Sequence, residues 1–370
     1  MLFALIGLVA GCHSLQFYGQ AALGQLQLMT AGQPVDQLLA DPRVNPELAR
    51  QLALSQEILR FAAEELSLPA EGRYQRYVEI DRQYVLWNVY AAGPYSLQAT
   101  RWCYPIVGCA PYRGYFNLSR AKNTALQYEA QGLETYVGGV PAYSTLGWFA
   151  DPLLSTFLAW PQAELVGLLL HELAHSKVWL EGDVAFNESF ASFVGQQGLY
   201  SWFEQRADLT QWQAWHSRRQ VWLRFREFLL KAKAHLSGVY AGSQADLKQN
   251  KQAAMNGLQA CYAAHRAQLG AGRYDRIMAQ NFNNAFLISV GTYADWLPVF
   301  RALFDQSGGD WPRFFEAVKL LTQVDADDRL QQMQNLLAQQ QKAQGTDDQN
   351  TKEIDCQPFL SHGFNAELAG

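Results

Sequence analysis

A predominantly helical α+β fold, with a small N-terminal β-sheet and a helical C-terminal part, is predicted by three observations. Apolar residues recur at intervals of three and four over most of the chain. A short region between about residues 70 and 140 is instead β-branched and aromatic, bounded by Gly and Pro. No internal repeat or low-complexity linker calls for a second domain. The 370 residues are 49% hydrophobic and 17% charged, which excludes a disordered chain and a long solvated coiled coil. Aromatics make up 13%, enough to bury a sizeable core. A net charge of −5 leaves no electrostatic footprint for nucleic acid.

The chain opens on MLFALIGLVA, an apolar run far shorter than the ~20 residues that span a bilayer as a helix. It reads as the hydrophobic part of a secretory signal covering residues 1–11. Its end, Leu8-Val9-Ala10-Gly11-Cys12, resembles the lipobox of bacterial lipoproteins. That resemblance implies a lipidated Cys12 as first residue of the mature chain, anchored to a membrane of the bacterial cell envelope and facing the periplasm. No Lys or Arg precedes the run, and a buried N-terminal helix with an incidental Cys is the alternative.

Helical periodicity runs from Leu15 to about Leu68, punctuated by Pro34, Pro42 and Pro46. YVEI and YVLWNVYAA, between Tyr74 and Ala99, read as strands. SRAKNTALQYEAQG returns to helix, and LETYVGGV is a further strand. Beyond Gln162 helices are expected over 162–179, about 184–203, a long pair across 205–235 and 244–269, then 295–307 and 311–322. Pro161 and Pro312 fall where a helix tolerates Pro, and Asp310 is placed to cap. Within the pair, RRQVWLRFREFLLKAKAH is basic and amphipathic and reads as a helix face rather than a membrane anchor. Residues 12–340 are thus expected as one domain, followed by a loose tail over 341–370 that Cys356 could pin.

Setting Cys12 aside leaves Cys103, Cys109, Cys261 and Cys356, an even number that suits disulfides in an oxidising compartment. The Pro and Gly residues of WCYPIVGCAPYRGYF favour a local Cys103–Cys109 loop among the three pairings, leaving Cys261 with Cys356. Four free buried thiols are the alternative. No close CxxC pair supports zinc bound by Cys.

The chemistry is concentrated at 171–188. His171-Glu172-Leu173-Ala174-His175 interrupts an apolar helical run, and residues four apart lie one turn above each other. Both imidazoles can therefore converge on one zinc ion, while Glu172 can take a proton from the attacking water as general base. Composition alone yields about 0.006 chance matches to HExxH in such a chain. Burying two His and a Glu in VGLLLHELAH without a partner would also be costly. A third ligand must follow. Gly182 ends the helix and Asp183 can cap the next, in which Asn187-Glu188-Ser189-Phe190-Ala191 resembles the NExxA segment of gluzincin metallopeptidases. By that resemblance Glu188 is the third ligand. Asp183 is the competitor, disfavoured because it sits where a cap belongs.

HELAHSKVWLEGDVAFNESFASFVGQQG, with WCYPIVGCAPYRGYF, PAYSTLGWFADPLL and NNAFLISVGTY, resembles a bacterial family described as zinc aminopeptidases, many of them lipoproteins. The resemblance spans most of the chain. It implies a zincin-like metallopeptidase fold, one Zn2+ per chain and a peptide substrate. Zincins pair an extended substrate with an edge strand above the metal. Here the candidate is Val137 to Tyr143, with Gly138, Gly139 and Tyr143 as substrate-binding residues; an ordinary strand and turn is the alternative. Gluzincin aminopeptidases place a Glu at that point to bind the substrate's amine, whereas Val137 to Phe149 contains no acidic residue. Gluzincins also stabilise the oxyanion with a downstream Tyr or His, for which Tyr293 is the candidate and Tyr240, Tyr262 and His265 are rivals. Two further readings remain: a zinc endopeptidase or amidase acting on cell-envelope substrates, and a non-catalytic metal-binding lipoprotein.

Overall fold

The computed structural model describes residues 2–104, 108–142, 151–242, 245–280, 282–291, 296–343 and 354–357. The N-terminal periodicity resolves into α1 (Leu2–Ala31), α2 (Val35–Ala40) and α3 (Pro46–Glu64). Pro46 takes the first turn of α3, and the Asn45 side chain accepts the Glu47 N–H at 2.8 Å. α1 runs through Cys12, and among the described residues no helix is long and apolar enough to cross a membrane.

The extended region is richer than its periodicity implied. Before α4 (Leu118–Glu129) come β1 (Gln33–Pro34), β2 (Arg76–Val78), β3 (Leu86–Ala92), β4 (Trp102–Tyr104), β5 (Gly108–Ala110) and β6 (Arg113–Tyr115). After it come β7 (Glu134–Val140) and β8 (Leu153–Leu154). Instead of one sheet within 70–140, the described strands make two three-stranded sheets and a ribbon. β2 pairs antiparallel with β1 and parallel with β8. β3 is the central strand of an antiparallel sheet, flanked by β6 and by β7 in the register Leu86↔Val140 to Ala92↔Glu134. β1 and β8 have two residues each, too short to carry a period, and exist because tertiary pairing satisfies their backbone groups.

The rest is helical: α5 (Ser155–Leu158), α6 (Gln162–His175), α7 (Val184–Gln205), α8 (Leu209–Ala241) and α9 (Leu247–Ala264). They are followed by α10 (Asp275–Gln280), α11 (Asn284–Val290), α12 (Leu297–Gln306), α13 (Trp311–Thr322) and α14 (Ala326–Ala343). Asp310 caps α13 through the Arg313 N–H at 2.8 Å, as expected. α14 lies in the part expected to be helical up to residue 340, but periodicity does not single it out, because its Gln-rich sequence buries only a narrow stripe: Met333 enters the main core, and Leu336 and Leu337 pack against it. The loose tail expected over 341–370 lies largely outside the described residues.

Three apolar clusters hold the elements. The largest surrounds α6 and α7 with α3, α12 and α13. A second joins the C-terminal half of α8 to α9 and α11, and a third packs α4 on β3. α8 passes from the first to the second: Trp212 and Trp215 pack on one, Phe225, Phe228 and Leu229 lie in the other. Both expected disulfides are present. Cys103–Cys109 crosses the β4–β5 ribbon, and Cys261–Cys356 ties residues 354–357 to α9 with Ile354 buried beside it.

The Cys261–Cys356 bridge closes a loop of 95 residues. Replacing both cysteines by Ala is expected to lower the unfolding free energy by about 2–5 kcal/mol, read as a fall in denaturant midpoint.

Candidate metal centre

α6 starts at Pro161 and turns an almost wholly apolar face into the core through Leu165, Val166, Leu169, Leu170 and Leu173. The next turns carry His171 and His175, whose Nε2 atoms stand 3.2 Å apart. α7 brings the third donor. Gly182 turns the chain at φ +80°, a value natural to glycine, and Asp183 caps α7 by accepting the Phe186 N–H at 2.9 Å. Asn187 then clamps the turn from within. Its amide donates to the Leu180 carbonyl at 2.7 Å and accepts the Leu180 N–H at 2.8 Å. The sequence marked Asn187 only as a motif letter; its work is to fix the connection that aims its neighbour. Glu188 consequently faces α6, with Oε2 3.3 Å from His171 Nε2 and Oε1 3.8 Å from His175 Nε2.

A close helix contact sets these distances. A Cβ on Gly195 would stand 2.8 Å from the Gly167 carbonyl oxygen and 3.3 Å from His171 Cβ. Only glycine lets α7 approach α6 this closely without displacing backbone.

His171, His175 and Glu188 form a metal-ligand group whose donor atoms lie within 4.8 Å of one another. Tetrahedral ligands about 2.1 Å from zinc stand about 3.4 Å apart; the imidazole nitrogens at 3.2 Å and the His171–Glu188 Oε2 separation of 3.3 Å are close to that spacing, while His175 faces the other carboxylate oxygen at 3.8 Å. The two-imidazole, one-carboxylate set fits it chemically as well. Burial and then the charge on His171 push His175 down to about 4, which keeps it neutral and able to ligate. Burial also works against charge on His171, but the Glu188 carboxylate outweighs it and the imidazolium is favoured; Glu188 is correspondingly held low. A metal ion bound here would compete with protons for the same donor atoms. His175 Nδ1 is buried without a hydrogen-bond partner among the described residues.

Glu172 follows His171 and is half-buried, and its charge is felt by His171 and by the phenol of Tyr74. Tyr74 is buried with φ +55°, an uncommon backbone state for a bulky residue. Asp183, the rival ligand, is spent on its cap and lies 4.0 Å from Arg329. Tyr143 and Tyr293 lie outside the described residues. The alternatives to Tyr293 have other duties in the second cluster. Tyr240 donates to Asn284 Oδ1 at 2.7 Å, Tyr262 donates to Asp275 at 2.8 Å, and His265 contacts the Cys261 carbonyl at 3.0 Å. Gly138 and Gly139 lie on β7, with the Tyr84 ring occupying the place a Gly139 side chain would take.

Sequence reasoning missed two neighbours of the cluster. Tyr112, just past the disulfide-bonded ribbon, has its phenol raised by burial and by the Glu188 carboxylate. Arg219 of α8 acts electrostatically on His171. Neither belongs to a motif; only long-range packing brings them here.

Two measurements check this geometry. Glu188→Ala is expected to abolish stoichiometric zinc in metal analysis of the purified protein. Asp183→Ala should retain the metal and lose about 1 kcal/mol of stability with its cap. Gly195→Val should cost about 1–3 kcal/mol by forcing α6 and α7 apart, and should weaken zinc binding in the same protein.

The model of one protein family, described as Putative aminopeptidase, matches residues 16–333. No curated protein and no solved structure matches the chain. The matched stretch holds the whole metal-ligand group and covers well over half of the sequence, so this chain belongs to the Putative aminopeptidase family.

Proposed function

We propose that the protein is a zinc-dependent peptidase in which His171, His175 and Glu188 hold the metal and Glu172 is the general base. The observation that carries this reading is the convergence of three donors at zinc spacing on the HExxH helix and its neighbour. Zinc, when bound, supplies a Lewis acid that polarises the scissile carbonyl and makes water nucleophilic near neutral pH. Glu172 lies about 100° around α6 from His171, off the azimuth of the ligands. It takes the proton of the attacking water and returns it to the leaving amine.

β7 is the strand on which an extended substrate would lie. Among the described strands it pairs only with β3. Asn283 donates to the Thr135 carbonyl at 2.9 Å and the Asn284 N–H donates to Glu134 at 2.8 Å, so α11 covers that end. Residues 136–140, including Gly138 and Gly139, remain for strand addition by a peptide. Tyr112, whose phenol feels the Glu188 charge, is our candidate to donate to the developing oxyanion. The lipobox-like ending at Cys12 supports a lipid-anchored protein facing the periplasm, and the two disulfides suit that compartment.

The deciding variant is Glu172→Gln, which keeps size and polarity but removes the base. Zinc content and unfolding midpoint should match wild type, while kcat on peptide substrates falls by about two to four orders of magnitude. Loss of zinc would make Glu172 a structural or ligating residue, and undiminished turnover would place the chemistry elsewhere.

A further inference from the structure

The basic run on α8 has no role in the mechanism above, and its charges divide by face. Those on the outer side are engaged. Arg218 pairs with Glu164 of α6 at 2.7 Å, Arg224 donates to the Gln268 carbonyl at 3.3 Å, and Lys231 pairs with Glu227 at 3.1 Å. Arg219, Arg226 and Lys233 recur every seven residues and so form one row, with neighbours about 10 Å apart along the helix. The row shares its face with Trp215, which packs on the main core, and Trp222, which packs on the second cluster. It therefore faces inward.

Inward cations normally find an acid, because an uncompensated buried charge is costly. Arg219 and Lys233 make no hydrogen bond or ion pair with any described residue, and Arg219 Nε is buried and unsatisfied. Burial depresses the pKa of both. The row starts beside the metal-ligand group, since Arg218 is tied to Glu164, two turns before His171 on the same face of α6. It ends against Gly291, with Lys233 Nζ 2.6 Å from where a Cβ would stand. The Trp296 N–H lies 3.4 Å from the hydroxyl of Ser189, which follows Glu188 on α7. A protein of net charge −5 has thus kept two cations of α8 without described partners, and the first of them, Arg219, acts electrostatically on His171 of the metal-ligand group.

We propose that Arg219 and Lys233 bind carboxylates and so select acidic peptides, with Arg219 serving the position nearest the scissile bond. This rests on the peptidase reading above and adds the substrate class to it. An extended peptide advances about 3.3 Å per residue, so two cations about 21 Å apart along α8 match carboxylates about six residues apart. Guanidinium at the first position suits bidentate recognition of a carboxylate. The carboxylate can be an acidic side chain or a free C-terminus.

The test uses the full-length zinc-loaded protein and two pairs of peptides. One pair is blocked at both ends and differs by Glu or Gln two or three residues from the cleaved bond. The other lacks acidic residues and differs by a free or amidated C-terminus. The kcat/KM ratio within each pair is measured for wild type, Arg219→Gln and Arg219→Lys, and calorimetric affinities for the same peptides are measured on Glu172→Gln with and without Arg219→Gln. Wild type should prefer the carboxylate member of at least one pair by about ten- to a hundredfold, and which pair shows it identifies the source of the charge. Arg219→Gln should erase the preference in turnover and in affinity, Arg219→Lys should keep part of it, and unfolding midpoints should not fall. Turnover without a carboxylate preference, or a preference that survives Arg219→Gln, overturns the row and leaves the peptidase standing. Carboxylate-selective binding lost with Arg219 but no turnover of any peptide overturns the peptidase and keeps the row. Neither turnover nor selective binding overturns both.

Discussion

Two imidazoles and a carboxylate are held in one small space by the contact of α6 with α7, where Gly195 meets the backbone of Gly167 and the Cβ of His171. A side chain there would meet backbone at less than contact distance and force the helices apart. Much of the surrounding architecture maintains this contact. Phe186, Phe190 and Phe193 of α7 are buried against Phe300, Phe304 and Phe314 of α12 and α13. Asn187 closes the turn between the two site helices, and Asp183 satisfies the first turn of the second. Close packing matters here because interiors are dense and transmit strain, so a displaced helix would carry its ligand with it.

The electrostatics follow from the same packing. Glu188 is placed where burial would disfavour its charge, yet its proximity to His171 keeps the carboxylate ionised and the imidazole inclined to hold a proton. His175, more deeply buried, stays neutral. Three converging donors are an arrangement that a divalent cation completes and that apolar packing could not. Tyr112 and Arg219 are coupled electrostatically to the same cluster, the one with Glu188 and the other with His171.

The ribbon that carries Tyr112 toward the site shows how a local covalent constraint serves a distant one. Cys103 and Cys109 are register partners of β4 and β5, so the bridge holds a ribbon too short to be stable alone. Tyr112 follows it directly, its ring tilted against Tyr90 of β3 at 5.5 Å. The phenol is thereby tied to the central strand of the sheet whose edge is β7.

Local chemistry made much of this protein legible in its sequence. The convergence of His171 and His175 follows from the helical period alone, since a four-residue interval places two side chains on one azimuth whatever surrounds them. Long helices such as α7 and α8 announce themselves through apolar recurrence, and the cap residues Asn45, Asp183 and Asp310 through the unsatisfied donors of a first turn. Glu188 was legible only through its resemblance to a motif, because its distance from His171 depends on a turn that Asn187 closes and a contact that Gly195 permits. Tertiary structure alone decided the two-residue strands β1 and β8, the burial of α14, the place of Tyr112, and the division of α8 into engaged and inward-facing cations. Periodicity records which face of an element is apolar, but pairing partners, helix separations and the neighbours of a charge are set between segments far apart in sequence. No local pattern encodes them.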